Sequence, residues 1–215
     1  MPTDRILIAL VLALVAVGLV FGLWPRLDLA TTGLVYDNGG FWGASRLAGA
    51  ARDFLRLFPF WLLGGLAALW AGRRLGWRGP APSSRAMVFL IASLILGSGL
   101  IVNLGLKDHS HRPRPVHVAE FGGNQAFRPW YRFDGTCMKN CAFASGEAAS
   151  GFWVLAPALL APPPLRAVAV AAALAYGAAT SGLRIAFGGH FLSDVLFGGL
   201  ISALVVMALR RWLPR

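Results

Sequence analysis

Three short clusters of polar residues interrupt an otherwise apolar chain of 215 residues, and their types suit a phosphate ester. The first runs from Lys107 through His109, His111, Arg112 and Arg114 to Pro115. Lys107 is a compact cation and Arg114 a planar fork able to grip two oxygens. The second is Ala144-Ser145-Gly146-Glu147, where Ser145 and Gly146 open an apolar segment. Free backbone N–H groups at such a helix start favour an anion. The third runs from Arg184, a second guanidinium for phosphate, to His190 and Asp194. Four residues apart on a helix, His190 and Asp194 share one face, with the carboxylate able to accept Nδ1–H. That contact fixes the tautomer and leaves Nε2 free to attack phosphorus, so the residues alone point to phosphoryl transfer through a phosphohistidine.

The elements that position these clusters are read from composition. Hydrophobic residues make up 57% of the chain and charged residues 13%, with a mean hydropathy of +0.63. That is outside the balance of a soluble domain. A helix needs about 20 apolar residues to cross a ~30 Å hydrocarbon core, and six such spans can be drawn, at 6–24, 54–71, 86–106, 146–161, 167–183 and 191–209. The expectation is an all-α, polytopic membrane protein of one domain, 1–215, with its catalytic core on the third to sixth helices. The fourth span is short and carries Pro157, which bends or ends a helix. The segment 25–53 has the mix of apolar and charged residues of an amphipathic surface helix.

Orientation follows from Lys and Arg in short loops. Arg73, Arg74, Arg78 and Arg85 join spans two and three, and Arg210, Arg211 and Arg215 follow span six, so both places read as cytoplasmic. All three polar clusters then fall on the opposite, non-cytoplasmic face of the membrane, which in a bacterial inner membrane is the periplasmic one. The net charge of +11, from 20 Lys and Arg against 9 Asp and Glu, reads as anchoring charge plus attraction to anionic lipid. Nucleic acid is excluded as a partner because no soluble basic domain carries that charge. Singly, each cluster has an ordinary reading. Lys107, Arg112 and Arg114 suit interfacial anchors, and Arg184 with Asp194 suits a structural ion pair. Three clusters at one face argue for a site, since charge near lipid is costly.

The order and spacing of these residues resemble the type 2 phosphatidic acid phosphatase (PAP2) superfamily, marked by Kx6RP, PSGH and SRx5Hx3D. Lys107, Arg114 and Pro115 match the first pattern, and Arg184, His190 and Asp194 the third. The resemblance covers spans three to six. It implies a metal-independent phosphatase in which Lys107, Arg114 and Arg184 hold phosphate, the Ser145 and Gly146 amides assist, His190 attacks and Asp194 orients it. Three positions depart from the pattern: Leu183 stands for Ser, Ala144 for Pro and Glu147 for His. In the family that His protonates the leaving oxygen. Glu147 is therefore expected to be the acid and then the base that activates water, although a free Glu titrates near ~4.3 and must be raised to serve. His109 and His111 are the alternatives.

Cys137 and Cys141 lie four apart in the outer loop, and an oxidising compartment permits a disulfide there, with free thiols or a metal pair as the other readings. No third ligand completes a metal site with His109 and His111, so neither metal nor other cofactor is expected. Cys137, Asn140, Cys141 and the following Ser-Gly-Glu resemble the branch that contains bacterial lipid A 1-phosphatases. That implies a phosphomonoesterase acting on the 1-phosphate of lipid A, with Arg128, Arg132 and Lys139 near a second anionic group of the headgroup. The expected partners are a phosphorylated lipid and the bilayer, with no obligate protein partner. Undecaprenyl pyrophosphate or phosphatidylglycerophosphate phosphatase, lipid phosphotransferase and a non-catalytic anion-binding or transport protein are the competing functions.

Overall fold

A computed structural model describes residues 2–212; Arg215, one of the expected cytoplasmic charges, lies outside the described residues. The chain is mostly helical. Helix α1 spans Pro2–Leu23 and is followed by the short α2, Arg26–Gly33. A two-residue hairpin, β1 (Tyr36–Asp37) and β2 (Gly40–Phe41), leads through Trp42–Ala44 into α3, Arg46–Arg74. Helix α4 covers Ser84–Lys107. A long, irregular loop then leads to α5, Gly146–Trp153, and α6, Leu155–Leu159. Two long helices, α7 (Pro163–Ala186) and α8 (Leu192–Arg210), complete the fold.

Five helices, α1, α3, α4, α7 and α8, are long and apolar enough to cross a membrane. The fourth expected span is not among them. Residues 146–161 form α5 and α6, broken at Val154, whose N–H bonds back to the Gly151 carbonyl at 3.2 Å rather than a full turn away. Pro157 supplies the reason, because it has no N–H and its ring crowds the carbonyl four residues earlier. The pair is sheathed by protein. Phe152 packs where a Cβ on Gly177 or Gly199 would come within 2.9 or 2.6 Å of its ring, which brings α5 against both α7 and α8. Trp153 is fully buried, and its indole N–H reaches the Ser93 hydroxyl at 2.9 Å. By contrast α1 and α3 bury few side chains fully: one face of each, with Leu10, Leu14, Leu62 and Leu66, packs half-buried on the core, and the other is exposed and apolar, as in lipid-facing helices.

The expected second span, 54–71, begins eight residues earlier, at Arg46, because the Ser45 hydroxyl caps the Ala48 N–H at 3.2 Å. At 29 residues, α3 is longer than the hydrocarbon core requires, so its first turns stand at the level of the polar loops. In α4 the turns widen from Ile95 to Lys107 into a π-helix. Gly97, Gly99 and Gly105 weaken the ordinary helix there. The Asn103 amide supports the wide turn by donating to the Ser98 carbonyl at 2.7 Å. The segment 25–53, expected to be amphipathic, contributes α2 instead, with Asp28 and Thr32 buried. At the opposite end Arg73, Arg74 and Arg85 stand beside Arg210 and Arg211, at the close of α3, the start of α4 and the close of α8. Asp4 pairs with Arg211, joining the two ends of the chain on that side.

Candidate active site

The three polar clusters converge where α4 ends, α5 begins and α7 meets α8. His190 occupies the short link between α7 and α8 and is 1% exposed. Its Nδ1 lies 2.7 Å from the Ala142 carbonyl. A carbonyl only accepts, so Nδ1 carries the proton and Nε2 presents a lone pair. Burial pulls the imidazole down to about 4, with the Arg184 and Arg114 charges acting in the same direction and Asp194 opposing. The ring is therefore neutral at physiological pH.

The expected hydrogen bond from His190 to Asp194 is not made: Nδ1 is 3.8 Å from Asp194 Oδ2. The helical spacing argument fails because His190 precedes the helix, which starts at Leu192. Asp194 instead caps it, accepting the Phe191 N–H at 2.8 Å. Its other oxygen takes the fully buried Arg112 guanidinium at 2.5 Å. Arg112 also holds Asp28 at 2.7 Å and the Ser193 hydroxyl at 2.9 Å, and its cation lies over the Phe191 ring at 4.5 Å. Asp28 in turn accepts the Ser193 N–H at 2.8 Å and its hydroxyl at 2.6 Å. This buried ionic knot ties α2, the outer loop and α8 together directly beneath His190. Charges of this kind persist in a protein interior when paired and fully hydrogen-bonded. The sequence reading placed Arg112 only among anchors and missed Asp28 and Ser193; an acidic residue within an apolar segment was the available signal.

Lys107, Arg114 and Arg184 lie within electrostatic reach of one another and of Glu147. Arg114 is aimed by the Asn140 carbonyl, which accepts from Nε at 3.1 Å and from Nη2 at 2.9 Å. Arg184 is 4% exposed, and a Cβ on Gly189 would sit 2.3 Å from its Nη2, so glycine alone lets the guanidinium reach the backbone beside His190. Ser145 is the cap of α5, its hydroxyl accepting the Ala148 N–H at 3.3 Å. Its own N–H donates to the Asp194 carbonyl at 3.0 Å and is not available to an anion. The Gly146 and Glu147 N–H groups, by contrast, have no hydrogen-bond partner among the described residues and are open to one. Gly146 is required by crowding, since a Cβ there would meet Asn103 Oδ1 at 2.3 Å.

Glu147 bridges two guanidinium groups, Arg52 at 2.6 Å and Arg184 at 3.4 Å. Burial acts to raise its carboxyl, but the Arg52 and Arg184 charges outweigh it and hold the group below the ordinary glutamate range in the free site, opposite to the shift expected of an acid. Arg52, from the first turns of α3, is a site residue that no sequence motif marked. His109 and His111 are occupied elsewhere, with Nδ1 of His109 on the Leu104 carbonyl at 3.0 Å and that of His111 on the Cys137 carbonyl at 2.9 Å. Cys137 and Cys141 are joined by a disulfide, with Cα atoms 5.7 Å apart. Of the expected headgroup residues, Arg128 and Arg132 both pair with Asp134, at 3.3 and 2.5 Å, while Lys139 has no side-chain partner among the described residues. No group of three or more metal-ligating side chains occurs among the described residues.

Comparison with known proteins gives this geometry a lineage. Over 205 residues the chain is 36% identical to a lipid A 4'-phosphatase of Francisella tularensis subsp. novicida (strain U112), covering 88% of each. It is 39% identical over 129 residues to a lipid A 4'-phosphatase of Rhizobium leguminosarum, covering 60% of this chain and 55% of that one. The expectation of a phosphomonoester hydrolase acting on lipid phosphates is borne out by these relatives; the expected 1-phosphatase branch is corrected, because the relatives carry the 4' designation. The fold matches the crystal structure of a transmembrane PAP2 type phosphatidylglycerolphosphate phosphatase from Bacillus subtilis, with a TM-score of 0.63, 15% identity and 96% and 94% of the two chains covered. With residues 86–215, from the start of α4 onward, also matching that family as a whole, the chain belongs to the PAP2 superfamily.

Proposed function

We propose that the chain removes the 4'-phosphate of lipid A, or of a closely related phosphorylated glycolipid, at the periplasmic face of a bacterial inner membrane. The observation that carries the chemistry is the buried, neutral His190, with its proton on the Ala142 side, its lone pair free and the Arg184 and Arg114 charges close enough to act on the ring. The 4' position is supported by the names of the relatives. The periplasmic face is supported by the disulfide beside the site, which an oxidising compartment maintains, and by the arginines at the opposite end.

Lys107, Arg114, Arg184 and the Gly146 and Glu147 amides hold the phosphate. The ester monoanion passes its proton to Glu147 as the phosphate displaces that carboxylate from Arg184. His190 Nε2 then forms the N–P bond while the P–O bond breaks, and the leaving oxygen takes the Glu147 proton, giving a sugar hydroxyl and a phosphohistidine. Asp194, 3.8 Å from the ring, stabilises the positive charge that develops there. In the second half Glu147 takes a proton from water, whose oxygen attacks phosphorus, the N–P bond breaks and phosphate leaves.

The test is phosphate release from a panel of lipid A phosphorylated at the 1 or 4' position, undecaprenyl pyrophosphate and phosphatidylglycerophosphate. Wild type is expected to release 4'-phosphate and to form an acid-labile phosphoenzyme, and His190→Ala to lose at least ~1,000-fold in kcat. Turnover that survived in His190→Ala would overturn the nucleophile.

A further inference from the structure

The contact between Arg52 and Glu147 joins positions 95 residues apart, and Arg52 lies outside residues 86–215, which match the superfamily. Its placement is not a loose surface pairing. The start of α3 is fastened to the second half of α7 and the residue that follows it, on both sides of Arg52. Before it, Gly43 presses so closely on Phe187 that a Cβ would come within 2.6 Å of the ring. After it, the Tyr176 hydroxyl donates to the Leu55 carbonyl. The Arg52 guanidinium also lies 5.8 Å from the centre of the Phe187 ring, two residues from Gly189. Its Nη2 is 2.6 Å from Glu147 Oε1, closer than the 3.4 Å between Arg184 Nε and Glu147 Oε2.

We infer that Arg52 is a positioning residue that tethers the Glu147 carboxyl beside the leaving oxygen once the substrate phosphate has claimed Arg184. This rests on the reading of Glu147 as the acid and base. Glu147 has two cationic partners in the free site, and one of them, Arg184, is also a ligand for phosphate. Once its proton has passed to Glu147, the phosphate is a dianion and the carboxyl is neutral, so the phosphate takes that guanidinium. Without Arg52 the displaced Glu147 side chain would be free to rotate away from the reacting bond. With it, one oxygen stays anchored and the other is left to carry the proton from ester monoanion to leaving oxygen. Arg52 neither touches phosphorus nor moves a proton itself, so its effect must scale with the need for an acid.

That dependence provides the test. A sugar alkoxide is a poor leaving group and needs protonation, whereas p-nitrophenolate leaves without it. The readout is kcat/KM, which reports the steps through loss of the leaving group and not the later hydrolysis of phosphohistidine, where Glu147 serves as base with either substrate. Arg52→Gln is expected to lower kcat/KM on the phosphorylated glycolipid by about tenfold to 100-fold, part of the ~100-fold to 10,000-fold that a general acid contributes. On p-nitrophenyl phosphate it is expected to lower kcat/KM less than threefold and to leave the vanadate inhibition constant within threefold of wild type. Arg52→Lys, which keeps the charge but not the fork, restores part of the glycolipid value. Glu147→Gln is run alongside and should show the same split in kcat/KM. If Glu147→Gln shows the split and Arg52→Gln does not, the tether is wrong and the acid stands. If Glu147→Gln lowers kcat/KM on both substrates equally or on neither, the acid and the tether both fall. An equal loss on both substrates in Arg52→Gln alone assigns the residue a purely structural role and overturns the inference.

Discussion

The imidazole of His190 is held neutral by where it sits, so the proposed nucleophile is one that acid does not readily quench. An exposed histidine gains its proton near pH 6.5, but burial lowers His190 to about 4. Between those values the unfolded chain binds a proton that the folded chain refuses. The neutral ring thus contributes its full stability above pH ~6.5 and loses it progressively as the pH falls toward ~4. The expected outcome is that the His190 ring resonance, identified in detergent by its disappearance in His190→Gln, does not titrate between pH 7 and 5.5. A midpoint near 6.5 would show that the ring is not desolvated. At this scale the sequence was informative about types and less so about partners. Spacing singled out Lys107, Arg114, Arg184 and His190, which the fold does bring to one place, because a motif records side-chain types. It paired His190 with Asp194, because a linear count cannot see that the helix begins at Leu192 and that Asp194 turns back to cap it. The carbonyl that does hold the ring, Ala142, has no side-chain signature at all.

The helices deliver these groups through local irregularities that hydropathy does not register. The span 86–106 was legible as one apolar run, but the wide turns from Ile95 onward, which set how Lys107 leaves the helix, depend on Gly97, Gly99, Gly105 and an Asn103 side chain bonded to Ser98. The break between α5 and α6 was visible in Pro157, whereas the tight seating of α5 was not. That seating needs glycines on two other helices, Gly177 and Gly199, and a third close approach at Gly198, where a Cβ would come within 2.4 Å of the Ser145 carbonyl. The link from α7 to α8 uses the same device on behalf of chemistry. Gly189 lets Arg184 lie against the backbone next to the proposed nucleophile, and a methyl group there would meet Nη2 at 2.3 Å. Gly189→Ala is therefore expected to displace the guanidinium and lower kcat/KM by about tenfold to 100-fold, since roughly 1 Å of misplacement costs about that much. The midpoint of thermal unfolding should move little, because the clash falls on the end of a flexible side chain. A variant with unchanged kcat/KM would mean that Arg184 holds phosphate from some other position.

Across the whole molecule, the portion that matches the superfamily, 86–215, is not a self-sufficient site. Helix α2 supplies Asp28 to the buried knot around Arg112, and α3 supplies Arg52 to Glu147, so the first 74 residues reach the chemistry from two directions. The outer loop between α4 and α5 reaches it from a third. Within that loop the disulfide closes a ring of five residues around Asn140, whose carbonyl aims the Arg114 fork. The bond thus constrains the loop and the carbonyl that aims Arg114, the proposed phosphate ligand, at once. Loop-closure entropy for so short a ring is about 2 kcal/mol at 25 °C, so replacing both Cys137 and Cys141 by Ser is expected to lower stability by roughly that amount. The functional effect follows from geometry: with the ring open, the Asn140 carbonyl no longer fixes Arg114, and KM for the lipid should rise several-fold while kcat changes less. The same bond reports orientation. In intact spheroplasts a membrane-impermeant reductant should open it and reproduce the rise in KM, whereas in inverted vesicles it should do neither. Protection in spheroplasts and reduction in inverted vesicles would instead put the loop, the knot and His190 on the cytoplasmic face, and the substrate would then have to be a lipid phosphate presented on that side.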